Sequence, residues 1–440
     1  MSDHRSVVAA LESRWPEQRV AKGTERIEAV LDLLGRPQDA APLIHITGTN
    51  GKGSTAIIVD ALLRAQGLRT GRFSSPHLVD PAERIAIDGA PISPDLFDET
   101  WAAIEPCVTL VDNQRLGGVP LTFFEVITAM AYAAFADAPV DALIMEVGMG
   151  GTWDATNVAD AEVAVVTPIG LDHTHLLGPT VTAIAAEKAG IIKPDAYAVL
   201  AGQLPEAAAV LLDRCAAVGA QPVLEGQDFG LLSRQPAVGG QLLRIEGAGG
   251  PVGDLHLPLF GAAMAENAAV AVAAVEAFHG LRGLDPAIIE AGFANVVAPA
   301  RTELVHAGPP IVVDTCHNPP AVAATLATMD EAFAFTPQIA VWAAMADKDS
   351  ETNLRLLEPA VAHLVATQVA SPRALPAAEL GALAAEVFGP ARVTVAPDVA
   401  DAIERAVTLA DDAGPAAGIL VGGSVILAGA ARHLLAPDKP

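Results

Sequence analysis

The chain has 440 residues, of which 52% are hydrophobic, so it can bury full cores and is expected to form two or three domains. Its formal net charge of −26 argues against broad surfaces for nucleic acid or anionic membranes, although it allows a local basic pocket for phosphates. No apolar run reaches the ~20 residues of a transmembrane helix, and the N-terminus lacks the pattern of an export signal. The cysteines, Cys107, Cys215 and Cys316, have no disulfide or metal-binding spacing. We therefore expect a cytoplasmic protein without nucleic-acid or membrane partners.

Apolar β-like runs alternate with helical patterns from residue 42 onward, which predicts a doubly wound α/β domain. The predicted strands are Pro42–Thr47, Asp141–Val147, Glu162–Thr167 and Ala196–Ala201, and the predicted helices are Lys52–Ala65 and Pro179–Ile192. Between Val223 and Leu257 the pattern becomes Gly-rich and strand-like, and a helix is predicted over Ala263–His279.

A second alternating series begins at Arg301. Its predicted strands lie near Ile311–Val313, Gln338–Trp342, Leu364–Thr367, Val393–Val395 and Gly418–Val421. The segment Ala294–Ala300 joins the two series, so we expect one domain over residues 1–296 and a smaller, Rossmann-like α/β domain over residues 297–440.

The segment I-H-I-T-G-T-N-G-K-G-S-T, Ile44–Thr55, places glycines, a lysine and hydroxyls between a predicted strand and a predicted helix. Glycines allow a tight turn whose N–H groups bind oxyanions at a helix N-terminus. Lys52 would contact the β and γ phosphates, and Ser54 or Thr55 would place a hydroxyl near magnesium. The strict G-x-x-x-x-G-K-[ST] pattern fails at Ile46, so the segment is a variant phosphate loop.

Polar side chains that suit a metal follow two other predicted strands. Glu146 lies at the end of the strand in D-A-L-I-M-E-V-G-M-G-G, and Asp172 and His173 follow the strand Glu162–Thr167. Ligands of open α/β sheets bind at the carboxyl ends of the strands, which is where these residues lie. Glu146 and His173 are therefore candidate magnesium ligands, the glutamate as a hard oxygen donor and the histidine as a less usual partner.

Lys188 lies in the apolar helical segment A-I-A-A-E-K-A-G-I-I-K, where an unpaired ammonium would be costly. A buried lysine with a lowered pKa can carry out chemistry that a solvated lysine cannot. The alternative is a lysine that reaches solvent or forms an ion pair with Glu187 or another carboxylate.

Eight motifs occur in order from about Gly23 to the C-terminus. They are H-I-T-G-T-N-G-K-G-S-T, S-S-P-H-L, T-F-F-E, E-V-G-M-G-G-x-W-D-A-T-N, L-D-H, A-E-K-A-G-I-I-K, D-T-C-H-N-P and A-D-K-D. Together they resemble the motifs of the folylpolyglutamate synthase/dihydrofolate synthase family of the Mur ligase superfamily. The resemblance implies an ATP- and pterin-binding domain over residues 1–296 and a glutamate-ligase domain over residues 297–440. It also implies a monomeric, ATP-dependent ligase that joins L-glutamate to dihydropteroate, to reduced folates, or to both.

The resemblance further implies roles for individual residues. Magnesium, with or without a monovalent cation, would be held by Ser75, Glu146 and His173, and Lys188 would be carbamylated by carbon dioxide. The ATP phosphates would be bound by Thr49, Asn50, Gly51, Lys52, Gly53 and Ser54, and the rest of the nucleotide by Asn267, Arg301 and Asp314, with His317 near the ribose and phosphates. The catalytic set would be Lys52, Lys188, Asp314 and His317. The pterin-bearing acceptor would lie near Lys22, Gly23, Thr122, Phe123, Phe124, Glu125, Trp153, Asp154 and Ala155.

Four positions depart from the pattern of the family. Thr152 stands where arginine is common, Ala263 and Met264 replace a His-Gln pair, and Ala300 replaces a glycine. Loss of two polar side chains near the implied adenine site could alter nucleotide affinity. In V-G-G-S-V, Ser424 would either help to bind glutamate or serve as a helix N-cap.

In the implied reaction an acceptor carboxylate attacks the γ-phosphate, and the amine of glutamate then attacks the acyl phosphate. A cell-wall Mur ligase with another carboxylate acceptor is disfavoured, because such enzymes carry a nucleotide-sugar-binding domain ahead of the loop, which here starts at Thr47. An inactive regulatory homologue would suit the departures at Thr152, Ala263 and Met264. The intact residues Lys52, Glu146, His173, Lys188, Asp314 and His317 argue against it. A thiol enzyme built on Cys316 is disfavoured because the local pattern fits the ligase motif.

Overall fold

The computed structural model describes residues 4–15 and 21–436. Its α-helices are α1 (His4–Glu12), α2 (Glu25–Leu33), α3 (Lys52–Ala65), α4 (Pro94–Gln114), α5 (Phe123–Asp137), α6 (Thr174–Leu177), α7 (Val181–Lys188), α8 (Pro205–Val218), α9 (Ala262–Phe278), α10 (Pro286–Ala294), α11 (Pro319–Ala332), α12 (Ser350–Leu357), α13 (Ala377–Phe388), α14 (Val399–Ala413) and α15 (Val425–Leu435). Its strands are β1 (Leu43–Thr47), β2 (Thr70–Phe73), β3 (Ile85–Ile87), β4 (Ala90–Pro91), β5 (Ala142–Glu146), β6 (Val163–Val166), β7 (Tyr197–Leu200), β8 (Gln221–Leu224), β9 (Gly230–Ala237), β10 (Gly240–Gly247), β11 (Gly250–Leu257), β12 (Glu303–Ala307), β13 (Pro310–Val313), β14 (Gln338–Trp342), β15 (His363–Ala366), β16 (Val393–Val395) and β17 (Gly418–Gly422). None of these helices is long and apolar enough to cross a membrane.

The first large sheet has the strand order β4-β3-β2-β5-β1-β6-β7-β8. Its strands run parallel from β2 to β8, whereas β3 and β4 form an antiparallel edge. Strands β1, β5 and β6 are buried along their whole length, which explains why their sequences are mostly apolar and do not alternate between apolar and polar residues. The predicted doubly wound α/β fold is confirmed, and the antiparallel edge is the part that the sequence analysis missed.

Two apolar clusters lie side by side on one face of this sheet, since the register pairs Leu43 with Leu143 and Thr47 with Val166. In the first cluster, helices α1, α2, α4 and α5 pack around residues such as Phe73, Leu43 and Met145. In the second cluster, α7 and α8 pack around Val166 and Leu200. Helix α7 ends at Lys188 and is followed by a short 3-10 helix, Ala189–Ile191, so the predicted helix Pro179–Ile192 is two elements.

The second large sheet has the order β12-β13-β17-β14-β15-β16, with only the β12–β13 pair antiparallel in the described chain. Its core includes the fully buried Trp342. Strands β9, β10 and β11 form a separate small sheet. The described residues divide into two compact units. The first unit contains the residues up to Arg234, Leu242–Leu257 and Ala265–Val296. The second unit contains Gln235–Gln241, Pro258–Met264 and the residues from Val297 onward. The domain bounds given by the sequence analysis stay a prediction.

Ala300 has a left-handed backbone conformation, with φ of 53°. Its N–H donates to the Glu303 carboxylate at 2.8 Å and its carbonyl accepts from the Thr315 N–H at 3.1 Å, so the backbone is fixed on both sides. Left-handed backbone favours glycine because other residues bring Cβ too close to the carbonyl oxygen. This explains why the family pattern has glycine at the position where this chain has alanine.

Replacing Ala300 with glycine should stabilise the second unit slightly. Relief of left-handed strain, about 1–2 kcal/mol, outweighs the greater chain entropy of unfolded glycine, about 0.5–1 kcal/mol. Urea unfolding should show the gain. The control Ala324→Gly, within helix α11, should destabilise by about 1 kcal/mol, and a loss at Ala300 as large as at Ala324 would contradict the strain argument.

Candidate active site

The phosphate loop connects the end of β1 at Thr47 to the start of α3 at Lys52. Gly51 is the N-cap of α3 with φ of 90°, and Gly48 has φ of 149°. A Cβ on Gly48 would lie 1.8 Å from Thr167 Oγ1. A side chain at position 48 would therefore have to displace Thr167, the residue that follows β6. The predicted turn from a strand into a helix N-terminus is therefore present, with glycine where the backbone requires it.

Hydrogen bonds to the segment after β6 hold this loop in place. The Thr49 N–H donates to the Pro168 carbonyl at 3.0 Å, and Thr49 Oγ1 accepts from the Gly170 N–H at 3.0 Å. Thr167 Oγ1 donates to the Asn50 carbonyl at 2.7 Å. The sequence analysis missed Thr167, and its position directly after the apolar run of β6 was the available signal.

Asn267, on α9, lies against the loop. Its Oδ1 is 2.5 Å from the position that a Cβ on Gly51 would occupy, and the residue is only 5% exposed. A cavity of about 310 Å³ extends from Asn267. It is lined by Pro168, Ala201, Gly202, Glu225, Glu266, Asn267 and Val270. The structure thus brings Asn267 next to the phosphate loop, beside a cavity that could take the base of a nucleotide.

Two lysine ammonium groups donate to the same backbone carbonyl of the loop. Lys188 Nζ lies 2.7 Å from the Gly48 oxygen, and Lys52 Nζ lies 3.3 Å from it. Lys188 is 4% exposed, so it does not reach solvent, and that alternative from the sequence is wrong. Two basic side chains thus meet at the loop of an otherwise acidic chain.

Burial lowers the pKa of Lys188 from 10.5 to about 7, and the nearby charge of Lys52 acts in the same direction. The negative charges of Asp154, Asp172 and Glu187 oppose this shift without cancelling it. A substantial fraction of Lys188 is therefore a neutral amine at neutral pH, which is the nucleophilic form.

The predicted metal ligands lie at the same sheet edge. Glu146 ends β5 and is 4% exposed, and its Oε2 accepts from the Ser75 N–H at 3.2 Å. His173 is the N-cap of α6 with φ of 49°, and its N–H donates to Asp172 Oδ1 at 2.8 Å. The charge of Asp172 acts on Lys188, so the His173 turn belongs to the same region.

This donor set fits a magnesium ion. A carboxylate and a hydroxyl are hard oxygen ligands of the kind that magnesium prefers, and an imidazole is a less usual addition. Within residues 4–15 and 21–436, no group of three or more His, Cys, Asp or Glu side chains forms a metal site alone. Hydroxyl, phosphate or water oxygens would therefore have to complete the coordination, as is usual for magnesium bound with a nucleotide.

Two of the residues predicted to lie near the pterin-bearing acceptor form hydrogen bonds within the fold. Thr122 and Glu125 form a capping box at the start of α5, with reciprocal bonds of 3.1 and 2.8 Å. Glu125 also accepts from Arg26 Nε at 3.0 Å, and both side chains are buried. The polar groups of Thr122 and Glu125 thus stabilise the start of α5, and their contact with an acceptor stays a prediction.

The structure brings together other residues that were predicted to lie near the pterin-bearing acceptor. Lys22 Nζ lies 5.3 Å from the ring centroid of Trp153 and donates to the Leu176 carbonyl at 3.3 Å. Asp154 is 3% exposed, and burial raises the pKa of its carboxyl. Ala155 follows in a short 3-10 helix. Thr152, where the family has arginine, donates through Oγ1 to the Glu187 carbonyl at 3.0 Å.

In the second unit, three predicted residues surround Thr315. Arg301 donates to its hydroxyl, and His317 Nδ1 lies 3.0 Å from its carbonyl oxygen. Asp314 accepts from the Thr302 N–H at 2.7 Å and from the Cys316 N–H at 2.8 Å. The Asp314 carboxylate therefore joins two segments, the one before β12 that carries Arg301 and the one after β13 that carries His317.

Ser424 is the N-cap of α15. Its Oγ accepts from the Ile426 N–H at 3.2 Å. The capping alternative from the sequence is thus what the structure shows, and a role of Ser424 in binding glutamate stays a prediction.

Comparisons with known proteins agree with this geometry. Residues 300–425 match the family "Mur ligase, glutamate ligase domain". The dihydrofolate synthase/folylpolyglutamate synthase of Mycobacterium tuberculosis is 47% identical over 97% of this chain and 93% of the relative, and that of Escherichia coli is 34% identical over 81% and 80%. The solved M. tuberculosis folylpolyglutamate synthase complexed with ADP and AMPPCP matches with a TM-score of 0.94 and 46% identity over all of both chains. E. coli FolC in complex with DHPP and ADP matches with a TM-score of 0.86 and 31% identity over 100% and 99%.

A variant phosphate loop in a doubly wound sheet, followed by a glutamate ligase domain, defines a ligase of the Mur type. At 47% identity over nearly the whole length of a curated relative, the chain belongs to the dihydrofolate synthase/folylpolyglutamate synthase family. The family and fold that the eight sequence motifs predicted are confirmed.

The lowered pKa of Lys188 predicts a pH-dependent stability. Between about pH 7 and 10 the folded protein has lost this proton while the unfolded chain keeps it. The unfolded state then binds more protons, so the free energy of unfolding of the wild type should rise with pH relative to that of Lys188→Met, whose side chain never ionises. Urea unfolding at about pH 6.5, 8 and 9.5 in carbon-dioxide-depleted buffer measures this difference. A difference that does not change with pH would mean that Lys188 titrates normally.

Proposed function

We propose that this chain uses ATP to join L-glutamate to both dihydropteroate and reduced folate (poly)glutamates through an acyl-phosphate intermediate. Membership of a family of ATP-dependent ligases of folate metabolism fixes the reaction class. The observation that carries the proposal is the pair of ammonium groups on the Gly48 carbonyl at the phosphate loop. The loop suits a triphosphate, and Lys188 supplies a second reactive position beside it.

The phosphates of ATP would be bound by the loop of residues 49–54, with the N–H groups of Lys52, Gly53 and Ser54 at the start of α3 as donors. The first N–H groups of a helix have no partner within it, and the helix dipole adds positive character at the same end. The Thr49 N–H itself donates to the Pro168 carbonyl, so Thr49 would contribute through the shape of the loop. Lys52 would turn from the Gly48 carbonyl to the β and γ phosphates, stabilising the charge that spreads over the transferred phosphoryl oxygens.

Ser75, Glu146 and His173 would hold magnesium. When bound, magnesium would neutralise charge on the phosphoryl oxygens during transfer. Glu146 is positioned for this because the Ser75 N–H fixes one of its oxygens at the sheet edge.

Lys188 would be carbamylated. Its neutral amine forms an N–C bond to carbon dioxide and loses one proton to solvent, which gives an anionic carbamate. The pKa of about 7 makes the neutral amine available near physiological pH, whereas an ordinary lysine would remain protonated. The carbamate would place a negative group beside the charge of Lys52, which improves the charge balance of the site.

The ligation follows in two transfers. The acceptor carboxylate attacks the γ-phosphorus, the bond to the β–γ bridging oxygen breaks, and ADP leaves. The neutral amine of glutamate then attacks the acyl carbon, a proton is lost, and the C–O bond to phosphate breaks to give the amide. Much of the acceleration would come from holding both reactants in place.

Phosphate release from ATP should require both glutamate and an acceptor. We expect turnover of the purified protein with 7,8-dihydropteroate and with a reduced folate monoglutamate, measured as phosphate released against amide formed. Turnover with one acceptor alone would identify a specialised enzyme. A folded protein that binds ATP and turns over neither acceptor would support the inactive regulatory homologue.

Two Lys188 variants test the carbamate. Lys188→Ala should lower kcat by about 10- to 100-fold, the usual effect of losing an outer partner of a metal site. Lys188→Glu places a carboxylate near the position of the carbamate and should recover part of that loss. Equal activity of the wild type in carbon-dioxide-depleted and bicarbonate-containing buffer, with no advantage of glutamate over alanine, would refute carbamylation.

A further inference from the structure

His45 is a polar residue in the middle of a buried strand. It lies in β1 between Ile44 and Ile46, and all three side chains are inaccessible to solvent. Its Nε2 lies 2.8 Å from Thr156 Oγ1, while its Nδ1 is buried and has no hydrogen-bond partner among the described residues. An apolar residue would avoid the cost of this orphaned nitrogen, so the imidazole has to be explained by its single hydrogen bond.

That hydrogen bond continues to Asp154. Thr156 Oγ1 donates to Asp154 Oδ1 at 2.6 Å, and the same carboxylate oxygen accepts from the Thr156 N–H at 3.0 Å. The other oxygen, Oδ2, accepts from the Met149 N–H at 2.9 Å. The carboxylate therefore closes the turn between residues 149 and 156.

The chemistry of the groups fixes the proton positions. Asp154 receives two backbone N–H donors, so it acts as an acceptor and the Thr156 hydroxyl proton points to it. Thr156 Oγ1 can then only accept from His45, which places the imidazole proton on Nε2. This tautomer leaves Nδ1 as an unprotonated acceptor, and burial lowers the pKa of His45 to about 3, so the ring stays neutral.

We propose that His45 is a positioning residue, which acts through Thr156 to hold the Asp154 carboxylate and the turn 149–156 in the orientation that binds the pterin-bearing acceptor. This inference rests on the proposed function. The inference extends that function by connecting the turn 149–156 to strand β1, which carries the phosphate loop.

A second bond between the same two elements supports this connection. Thr47, at the end of β1, donates through Oγ1 to the Gly150 carbonyl at 2.8 Å. The next residue is Gly48, whose carbonyl accepts from Lys188 and Lys52. Strand β1 thus holds the turn 149–156 at two points and continues directly into the phosphate loop. A displaced turn would therefore misplace the pterin-bearing acceptor relative to the γ-phosphate.

Thr156→Val tests the proposal with little change in shape. It removes the hydroxyl, so the acceptor KM should rise about tenfold, as expected for the loss of a charge-assisted hydrogen bond, while the KM values for ATP and glutamate change less than twofold. Thr156→Ser keeps the hydroxyl and should restore the acceptor KM. The matched control is Thr100→Val, which removes another poorly exposed threonine hydroxyl, bonded to the Leu96 carbonyl in α4.

His45→Phe keeps a ring but removes the donor, and it should raise the acceptor KM to a similar extent. The double variant with Thr156→Val should resemble either single variant, because both remove the same relay. Nitrogen NMR of histidine-labelled wild type should show a neutral His45 with its proton on Nε2, and the resonance should shift in Thr156→Val.

Four outcomes separate the possibilities. No turnover of the wild type would refute the proposed function, on which the inference rests. An active wild type with an unchanged acceptor KM in Thr156→Val would refute the relay alone. Equal increases in all three KM values, or an equal increase in Thr100→Val, would indicate general destabilisation and also overturn it. A proton on Nδ1 would contradict the assigned direction of the hydrogen bonds.

Discussion

The parallel pairing of β1 with both β5 and β6 is the constraint on which the candidate site depends. The register places Ile46 beside Glu146 and Thr47 beside Val166, so all three strands end at the same edge. Residues far apart in the chain therefore meet there: the phosphate loop after β1, the carboxylate at the end of β5 and the segment after β6. A shift of one residue in this register would turn each side chain to the other face and separate the site.

Electrostatics at this edge oppose the character of the whole chain. The net charge is −26, yet two ammonium groups share the Gly48 carbonyl at the loop. Burial makes one of them, Lys188, release its proton near neutral pH. The fold thus places Lys52, which we propose binds phosphate, beside the buried Lys188, whose proposed carbamylation would make it an anion. This division of roles between two neighbouring lysines depends on burial, not on the residue type.

The sequence predicted the elements whose signals are local and could not predict contacts made across the fold. The apolar run of β1, the start of α3 at Lys52 and the eight motifs were readable because each is continuous in the chain. The hydrogen bond of His45 to Thr156 joins residues 111 positions apart and has no local signature. Likewise, the structural bonds of Glu125 and the left-handed conformation of Ala300 depend on neighbours that only the tertiary structure supplies.

The central claim is that ATP activates the acceptor carboxylate as an acyl phosphate. The most direct test uses dihydropteroate labelled with oxygen-18 in its carboxylate, turned over with ATP and glutamate, followed by mass spectrometry of the released phosphate. An acyl phosphate transfers one labelled oxygen to each phosphate, because the bond to the acceptor oxygen forms in the first step and the C–O bond breaks in the second. Phosphate without the label, released in step with the amide product, would contradict the account.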